Sequence, residues 1–232
     1  MKSLRIATLA LAASAVLASS ALAADEVEVT QEQIASAFDI AFGATLTSRY
    51  VSRGVAQTNG PAVQGYVEGS YNIFYAGVWA SSLDSLLAPD DVEIDLYAGI
   101  RPEFGNLSLD LGYVRYLYNS IGDCCGEAYA KATYAFTEEF SAGAEIYYDF
   151  ENDTTYGDVN AEVSLPYDFA VSGAVGTWFD GRVDWNAGIS YTYADTLTFD
   201  LRYHDADYQP ARFVAMVSVD SSWSALKGMM NR

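Results

Sequence analysis

The sequence predicts an all-β protein, a transmembrane, antiparallel up-and-down β-barrel of about 12 strands. Three observations carry that expectation. Apolar and polar residues alternate with period two over most of residues 38–219. The connections between the alternating segments are by turns long and short. The chain also opens with an export signal.

That signal is residues 1–23. Lys2 and Arg5 precede an apolar run, and Ala21-Leu22-Ala23 has the small-x-small form of a cleavage site, so the segment reads as a secretory signal peptide. A membrane-anchoring helix fits poorly, because the run is short and no stop-transfer pattern follows. No other run approaches the roughly 18 apolar residues of a spanning helix. Residues 24–37 are expected in the periplasm, where Thr30 with Gln33 suits a capping box before a short helix over residues 31–37.

Composition narrows the function. The chain has 12 basic and 31 acidic residues and a formal charge of −19. Cleavage would remove two basic residues and no acidic ones, leaving −21. Such a chain is a poor candidate for nucleic acid, whose binding needs clustered Lys and Arg. Disorder is excluded by 51% hydrophobic and 14% aromatic content. The 18 tyrosines suit strands and membrane interfaces.

Taking the strands in order, residues 38–51 alternate Phe38, Ile40, Phe42, Ala44 and Leu46 against Asp39, Gly43, Thr45, Thr47 and Arg49. Residues 62–71 set Val63, Val67 and Tyr71 against Gln64, Tyr66 and Glu68, whereas residues 73–81 are apolar on both parities. The run "DVEIDLYAGIR" is the clearest: Val92, Ile94, Leu96, Ala98 and Ile100 oppose Asp91, Glu93, Asp95, Tyr97, Gly99 and Arg101. Residues 107–118 place Asp110 on the polar parity but Arg115 on the apolar one, at headgroup level or at a slip of register. Residues 127–136 put Ala128, Ala130 and Ala132 opposite Glu127, Tyr129 and Lys131. Residues 140–150 turn Glu145 and Asp149 away from Ile146 and Tyr148, and residues 157–165 turn Asp158 and Glu162 away from Val159 and Val163. Residues 169–178, 184–193 (with Asp184), 197–204 (Asp200, Arg202, His204) and 211–219 (Arg212) complete twelve strands.

The connections are roughly 10, 1, 9, 5, 8, 3, 6, 3, 5, 3 and 6 residues long, within the usual boundary error. In a meander, that rhythm gathers the tight turns at one end, as in barrels with short periplasmic turns, longer extracellular loops and an even strand count. Ten residues at 3.3 Å, tilted by 40–45°, rise roughly 24 Å, close to the apolar belt of an outer membrane. A soluble sandwich is the competing fold, with shorter strands and less regular loops. Alternation alone does not say which parity faces inward. The barrel is expected over residues 38–219, with residues 220–232 as a tail whose Trp223, Leu226 and Met230 suit one face of an interfacial helix.

Four segments resemble the TorF family of proteobacterial outer-membrane porins: "RGVAQTNGPAVQG" (53–65), "YAGVWAS" (75–81), "EIDLYAG" (93–99) and "DLGYVRYLY" (110–118). The resemblance covers about residues 38–219, with its specific motifs in the first half. It implies an outer-membrane barrel and a channel. Two departures stand out: the chain continues past Val219 instead of ending on a strand-closing aromatic, unless Trp223 takes that role, and Cys124-Cys125 falls in the third long loop.

With the polar parity turned inward, the lining acids are Asp39, Glu68, Asp91, Glu93, Asp95, Asp110, Glu127, Glu145, Asp149, Asp158, Glu162, Asp184 and Asp200. The lining bases are Arg49, Arg101, Lys131, Arg202 and Arg212. Carboxylate rings in a wet bore concentrate cations and repel anions, so a narrow, cation-preferring channel for ions and small neutral or cationic solutes is expected. The alternative is that these bases bridge the acids and plug a structural or adhesive barrel. A membrane-embedded lipid enzyme is the third reading. It lacks a GxSxG, and His204, the single histidine, sits on the inward parity. No catalytic residue, metal site or cofactor is indicated. Cys124 and Cys125 form a candidate disulfide in an oxidising compartment. Expected partners are outer-membrane lipid and the barrel-assembly machinery; the oligomeric state is left open.

Overall fold

The computed structural model describes residues 38–84 and 90–230. The expected signal peptide and the expected helix over residues 31–37 lie outside the described residues. Strand β1 (Phe38–Thr47) leads into a loop carrying the two-residue strands β2 (Val51–Ser52) and β3 (Val55–Ala56). Then come β4 (Ala62–Tyr71), β5 (Phe74–Ser82), β6 (Val92–Ile100), the two-residue β7 (Glu103–Phe104) and β8 (Leu107–Tyr118). The second half is β9 (Gly122–Ala135), β10 (Phe140–Asp149), β11 (Thr154–Leu165), β12 (Phe169–Trp178), β13 (Val183–Tyr193), β14 (Leu197–Ala206) and β15 (Gln209–Ser222). A helix, α1 (Trp223–Met230), follows directly.

All pairings are antiparallel, and the ring closes twice over: β6 pairs with β8, and β1 pairs with both β4 and β15. Omitting the loop strands β2 and β3, and β7, which pairs with β8 beyond the end of β6, the barrel has the twelve strands that the alternation predicts. Paired residues followed around the ring return to β1 about 16 residues further along, a stagger that tilts the strands by about 45° and gives a backbone radius of about 12 Å. No sheet edge is left open along the barrel wall, which is what permits an apolar exterior.

The apolar parity faces outward. Leu46, Val67, Val78, Leu96, Ile146 and Val175 are all exposed, while their neighbours along each strand are covered. Among the described residues no helix is long and apolar enough to cross a membrane. The end that carries both described termini has tight hairpins, with Asn72 (φ 52°) and Gly105 (φ 61°) in the left-handed conformation such turns require. We call this the turn end and its opposite the loop end.

At the loop end the extra chain takes two forms. Residues 48–61 form a true loop, and residues 83–84 and 90–91 extend beyond β5 and before β6 without joining the ladder. Further along, β9, β11, β14 and β15 continue past the alternating segments, so residues 119–121 and 207–208 suffice to connect them. Above an apolar belt both faces meet water, and the pattern stops while pairing continues. Cys124 and Cys125 therefore belong to strand β9 and not to a loop. Asp123 pairs with Leu117 and Cys125 with Tyr116, leaving Cys124 as the extra residue of a β-bulge, and a disulfide joins the two cysteines.

Arg115 does point outward. It forms ion pairs with Asp123 and Glu151 near the loop end, so its parity marks a rim position on an unbroken strand. The last strand runs three residues beyond the expected boundary. Ser222 then caps α1 by accepting from the Ala225 amide, and Asp39 on β1 accepts from the Ser224 amide and hydroxyl.

Tyrosines do more on the inside than sequence reasoning assigns to them. Tyr97 lies directly opposite Gly77, Tyr75 opposite Gly99, and Tyr129 opposite Gly112. A side chain at any of these glycines would run into the facing ring. Each ring thus lies flat against the wall where its neighbour has no side chain, an aromatic cover for a strand glycine.

Candidate functional site

The candidate site is the barrel interior, and the first loop decides its shape. Residues 48–61 fold into the bore instead of standing above it. Val51–Ser52 and Val55–Ala56 form a minimal hairpin whose turn, Arg53-Gly54, has both residues at positive φ (48° and 74°), the geometry of a type I′ turn. Only glycine fits the second position: a Cβ on Gly54 would lie 2.6 Å from the Asp184 Cβ and 2.7 Å from the Tyr208 hydroxyl. The hairpin root packs beside β1, β4 and β5, where Tyr50, Ala62, Tyr66 and Trp79 make a small buried cluster.

Its tip reaches the far wall. Arg53 donates to both carboxylate oxygens of Glu127 on β9 at 2.6 Å each. Its guanidinium carbon lies 4.3 Å from the Tyr147 ring centre, 4.9 Å from Tyr156 and 5.4 Å from Trp178. Tyr116 donates to the same Glu127 at 2.7 Å, and the Tyr208 hydroxyl donates to the Arg53 carbonyl at 2.6 Å. Burial opposes the charge on Arg53, but Glu127 more than offsets it and raises the guanidinium pKa. The charge-assisted fork and the ring faces are the two modes in which arginine binds most specifically.

A second cross-bore layer lies nearer the turn end. Arg101 holds Glu68 through two nitrogens and Asp110 through Nε at 3.2 Å, and stacks 3.7 Å from the centre of the Tyr75 ring. Tyr75 in turn meets Asp110 and Tyr129. A third group sits on β14: Arg202 binds Asp200, Asn186 and Ser172.

The remaining expected lining residues are scattered around these layers. Lys131 lies 3.6 Å from Glu145, and Asp158 accepts from Asn160. Asp184 meets the hydroxyls of Tyr156 and Tyr208. Glu162 sits on the inner parity of β11, beside Ser164. Asp149 caps the 150–153 turn through the amides of Glu151 and Asn152. Asp39 is taken up by α1. Three residues lie off the wall or at its rim. Asp91 is exposed at the bend before β6, Arg49 donates from the loop to the Asn59 carbonyl, and Arg212 contacts Pro210 and Gln209.

The carboxylates of β6 are dry, contrary to the wet lining expected of them. Glu93 is buried against Tyr118, and Asp95 is 0% exposed with, among the described residues, no hydrogen-bond partner for either oxygen. The hairpin and the Tyr50–Trp79 pair, 5.5 Å apart, cover this side of the bore. What stays open is an irregular cavity of about 110 Å³ alongside the hairpin. Arg49, Arg53, Lys131 and Arg202 border it, with Glu145, Asp158 and Asp184. A smaller space of about 30 Å³, also bounded by Trp79 and Lys131, lies beside Arg101 and Asp110. The charge facing the opening is thus nearly balanced, although the wall as a whole is strongly acidic.

Sequence reasoning missed Arg53, Asp90 and the aromatic wall. Asp90 is buried and accepts from the amides of Ser120 and Ile121, tying the second loop to the third. Arg53 carried one local signal, an Arg-Gly pair between valines, which suits a two-residue hairpin.

The fold matches known porins. The KdgM porin aligns with a TM-score of 0.59 at 11% identity, covering 78% of this chain and 98% of that one. A KdgM porin in complex with disordered oligogalacturonate aligns equally well. The NanC porin gives 0.54 at 12% identity with the same coverage. No curated protein matches the sequence. A family model described as a bacterial protein of unknown function, Gcw_chp, matches residues 31–226.

Proposed function

The chain belongs to the Gcw_chp family, and we propose that it is an outer-membrane channel for passive diffusion of ions and small solutes. The observation that carries this reading is the pair of spaces in the bore, about 110 and 30 Å³, which share Trp79 and Lys131 as lining. The likeness of residues 53–65 and 110–118 to the TorF porins points the same way. The turn end would face the periplasm and the loop end the exterior, as the positions of short turns and termini imply. Lipid would cover the outward belt, and the barrel-assembly machinery would insert it.

Selectivity follows from which charges a solute meets. Counting the whole wall, acids outnumber bases, and a cation preference results. Glu127 is, however, paired with Arg53, Glu68 and Asp110 share Arg101, and Glu93 and Asp95 are covered. The open path is bordered by four basic and three acidic side chains, so the preference for cations should be weak. A second reading, a structural barrel with a closed lumen, draws support from Arg53 and Arg101 bridging across the bore.

Purified protein in a planar bilayer under a KCl gradient separates the two. Stepwise conductance with a reversal potential slightly favouring K⁺ supports the channel. Replacing residues 51–56 by a Gly-Ser linker should then raise the conductance severalfold. A folded barrel that stays silent with and without the hairpin would sink the channel reading.

A further inference from the structure

The surroundings of Arg53 have the form of a binding site whose ligand is part of the same chain. Glu127 presents two oxygens to a planar cation, Tyr116 fixes that carboxylate, and Tyr147, Tyr156 and Trp178 offer ring faces within 5.4 Å. A carboxylate fork suits guanidinium better than ammonium, because two parallel N–H donors match two oxygens. Aromatic faces add attraction for a desolvated cation.

Two further carboxyl groups lie on β6, the strand paired with β8 and its Tyr116. Asp95 is fully buried with neither oxygen hydrogen-bonded among the described residues, and Glu93 is buried on the same face of the strand.

The backbone that carries the occupant is a minimal one. Its hairpin has two residue pairs, and Arg53 occupies the left-handed region, where a residue other than glycine is disfavoured. The cavity beside the hairpin borders Arg53, Tyr147 and Tyr156, so the side of the cage that Arg53 closes faces the lumen.

We propose that Glu127, Tyr116, Tyr147, Tyr156 and Trp178 form a recognition site for a solute bearing a guanidinium or amidinium head, with Arg53 as a tethered occupant that the solute displaces. Tethering makes Arg53 a competitor at high effective concentration, so the free solute binds the native chain weakly and the emptied cage strongly. Displacement also withdraws the hairpin tip from the far wall and widens the bore.

The test is calorimetric titration of the refolded full chain in detergent with agmatine, using cadaverine as a diammonium of similar length. Arg53→Ala is expected to bind agmatine at least tenfold more tightly than the native chain. It should bind cadaverine at least tenfold more weakly than agmatine. Adding Glu127→Gln should abolish agmatine binding. Heat-modifiable gel migration confirms that each variant is folded, and Arg53→Gln replaces Arg53→Ala if the latter is not. A folded variant with an emptied cage that binds agmatine no better than the native chain overturns the proposal, as does equal binding of the two amines. Because binding is read without conductance, a silent barrel that still binds agmatine would remove the channel reading and leave this site standing.

Discussion

Replacing Arg101 by alanine should cost the barrel about 3–4 kcal/mol. Among the described residues Arg101 is the sole cation bonded to Glu68 and Asp110, whose side chains are 8% and 15% exposed. Removing one partner of a buried ion pair typically costs about 3–5 kcal/mol, because the carboxylates left behind are neither solvated nor paired. The Arg101 side chain is itself 27% exposed, which puts the expected loss near the lower bound, and the lost stacking on Tyr75 adds about 0.5–1 kcal/mol. Denaturant unfolding in lipid vesicles measures this directly, provided the slope m is unchanged. A companion variant, Arg101→Met with Glu68→Gln and Asp110→Asn, removes all three charges and should lose clearly less. If Arg101→Ala loses under about 1 kcal/mol, within the range of exposed pairs, the carboxylates are hydrated. The reasoning that treats this layer as a dry bridge would then be refuted, and the turn end of the lumen would be open to water.

Three further outcomes are expected from the same unfolding assay. Gly77→Ala should cost about 2 kcal/mol by driving a methyl group into the Tyr97 ring. Gly69→Ala, with no atom nearer than 3.9 Å, should stay within about 0.5 kcal/mol, and equal losses would mean that the rings do not seal the glycines. Changing Cys124 and Cys125 together to alanine should cost about 1 kcal/mol or less, since a bond between adjacent residues restricts little of the unfolded chain; a loss above about 3 kcal/mol would make the pair a genuine staple. Asp39→Ala should weaken the start of α1 by about 1 kcal/mol. Hydrogen exchange should quicken at Ser224 and Ala225 while the midpoint for the barrel stays put, and a shifted midpoint would mean that the helix helps to hold the ring.

Strands were legible wherever one face had to suit hydrocarbon and the other had to suit a polar interior. In β6, Val92, Ile94 and Leu96 alternate with Glu93, Asp95 and Tyr97 because each pleat serves a different medium. Arg115 breaks that parity without a slip of register in β6–β8 and pairs with Asp123 and Glu151 near the loop end. Above the belt the signal fades: Gly122 to Gly126 read as a loop because both faces can be polar, yet their backbone groups still pair with β8. The inward hairpin was hidden for another reason. The Arg53–Glu127 contact joins residues 74 positions apart, and no local pattern in residues 48–61 says whether a loop stands up or folds down. Counting acids and bases likewise overstated the field along the open path, because a count does not know which carboxylates are already paired or covered.

Ring closure has a bearing on how the chain acquires its fold. Most barrel strands pair with a sequence neighbour, so the meander can grow by short, fast hairpin steps. The β1–β15 seam is the exception: Ala41 meets Ser222 and Thr47 meets Met216, contacts that span nearly the whole described chain and repay their closure entropy last. Until then β1 keeps one row of unsatisfied backbone groups, the kind of edge that recruits other strands. The slow step should therefore be seam formation, and substitutions along β1 and β15 should change the rate of barrel completion more than those in β11 or β12. The Asp39–Ser224 contact, which bridges the two seam strands through α1, can form only after that step and so would slow reopening without hastening closure.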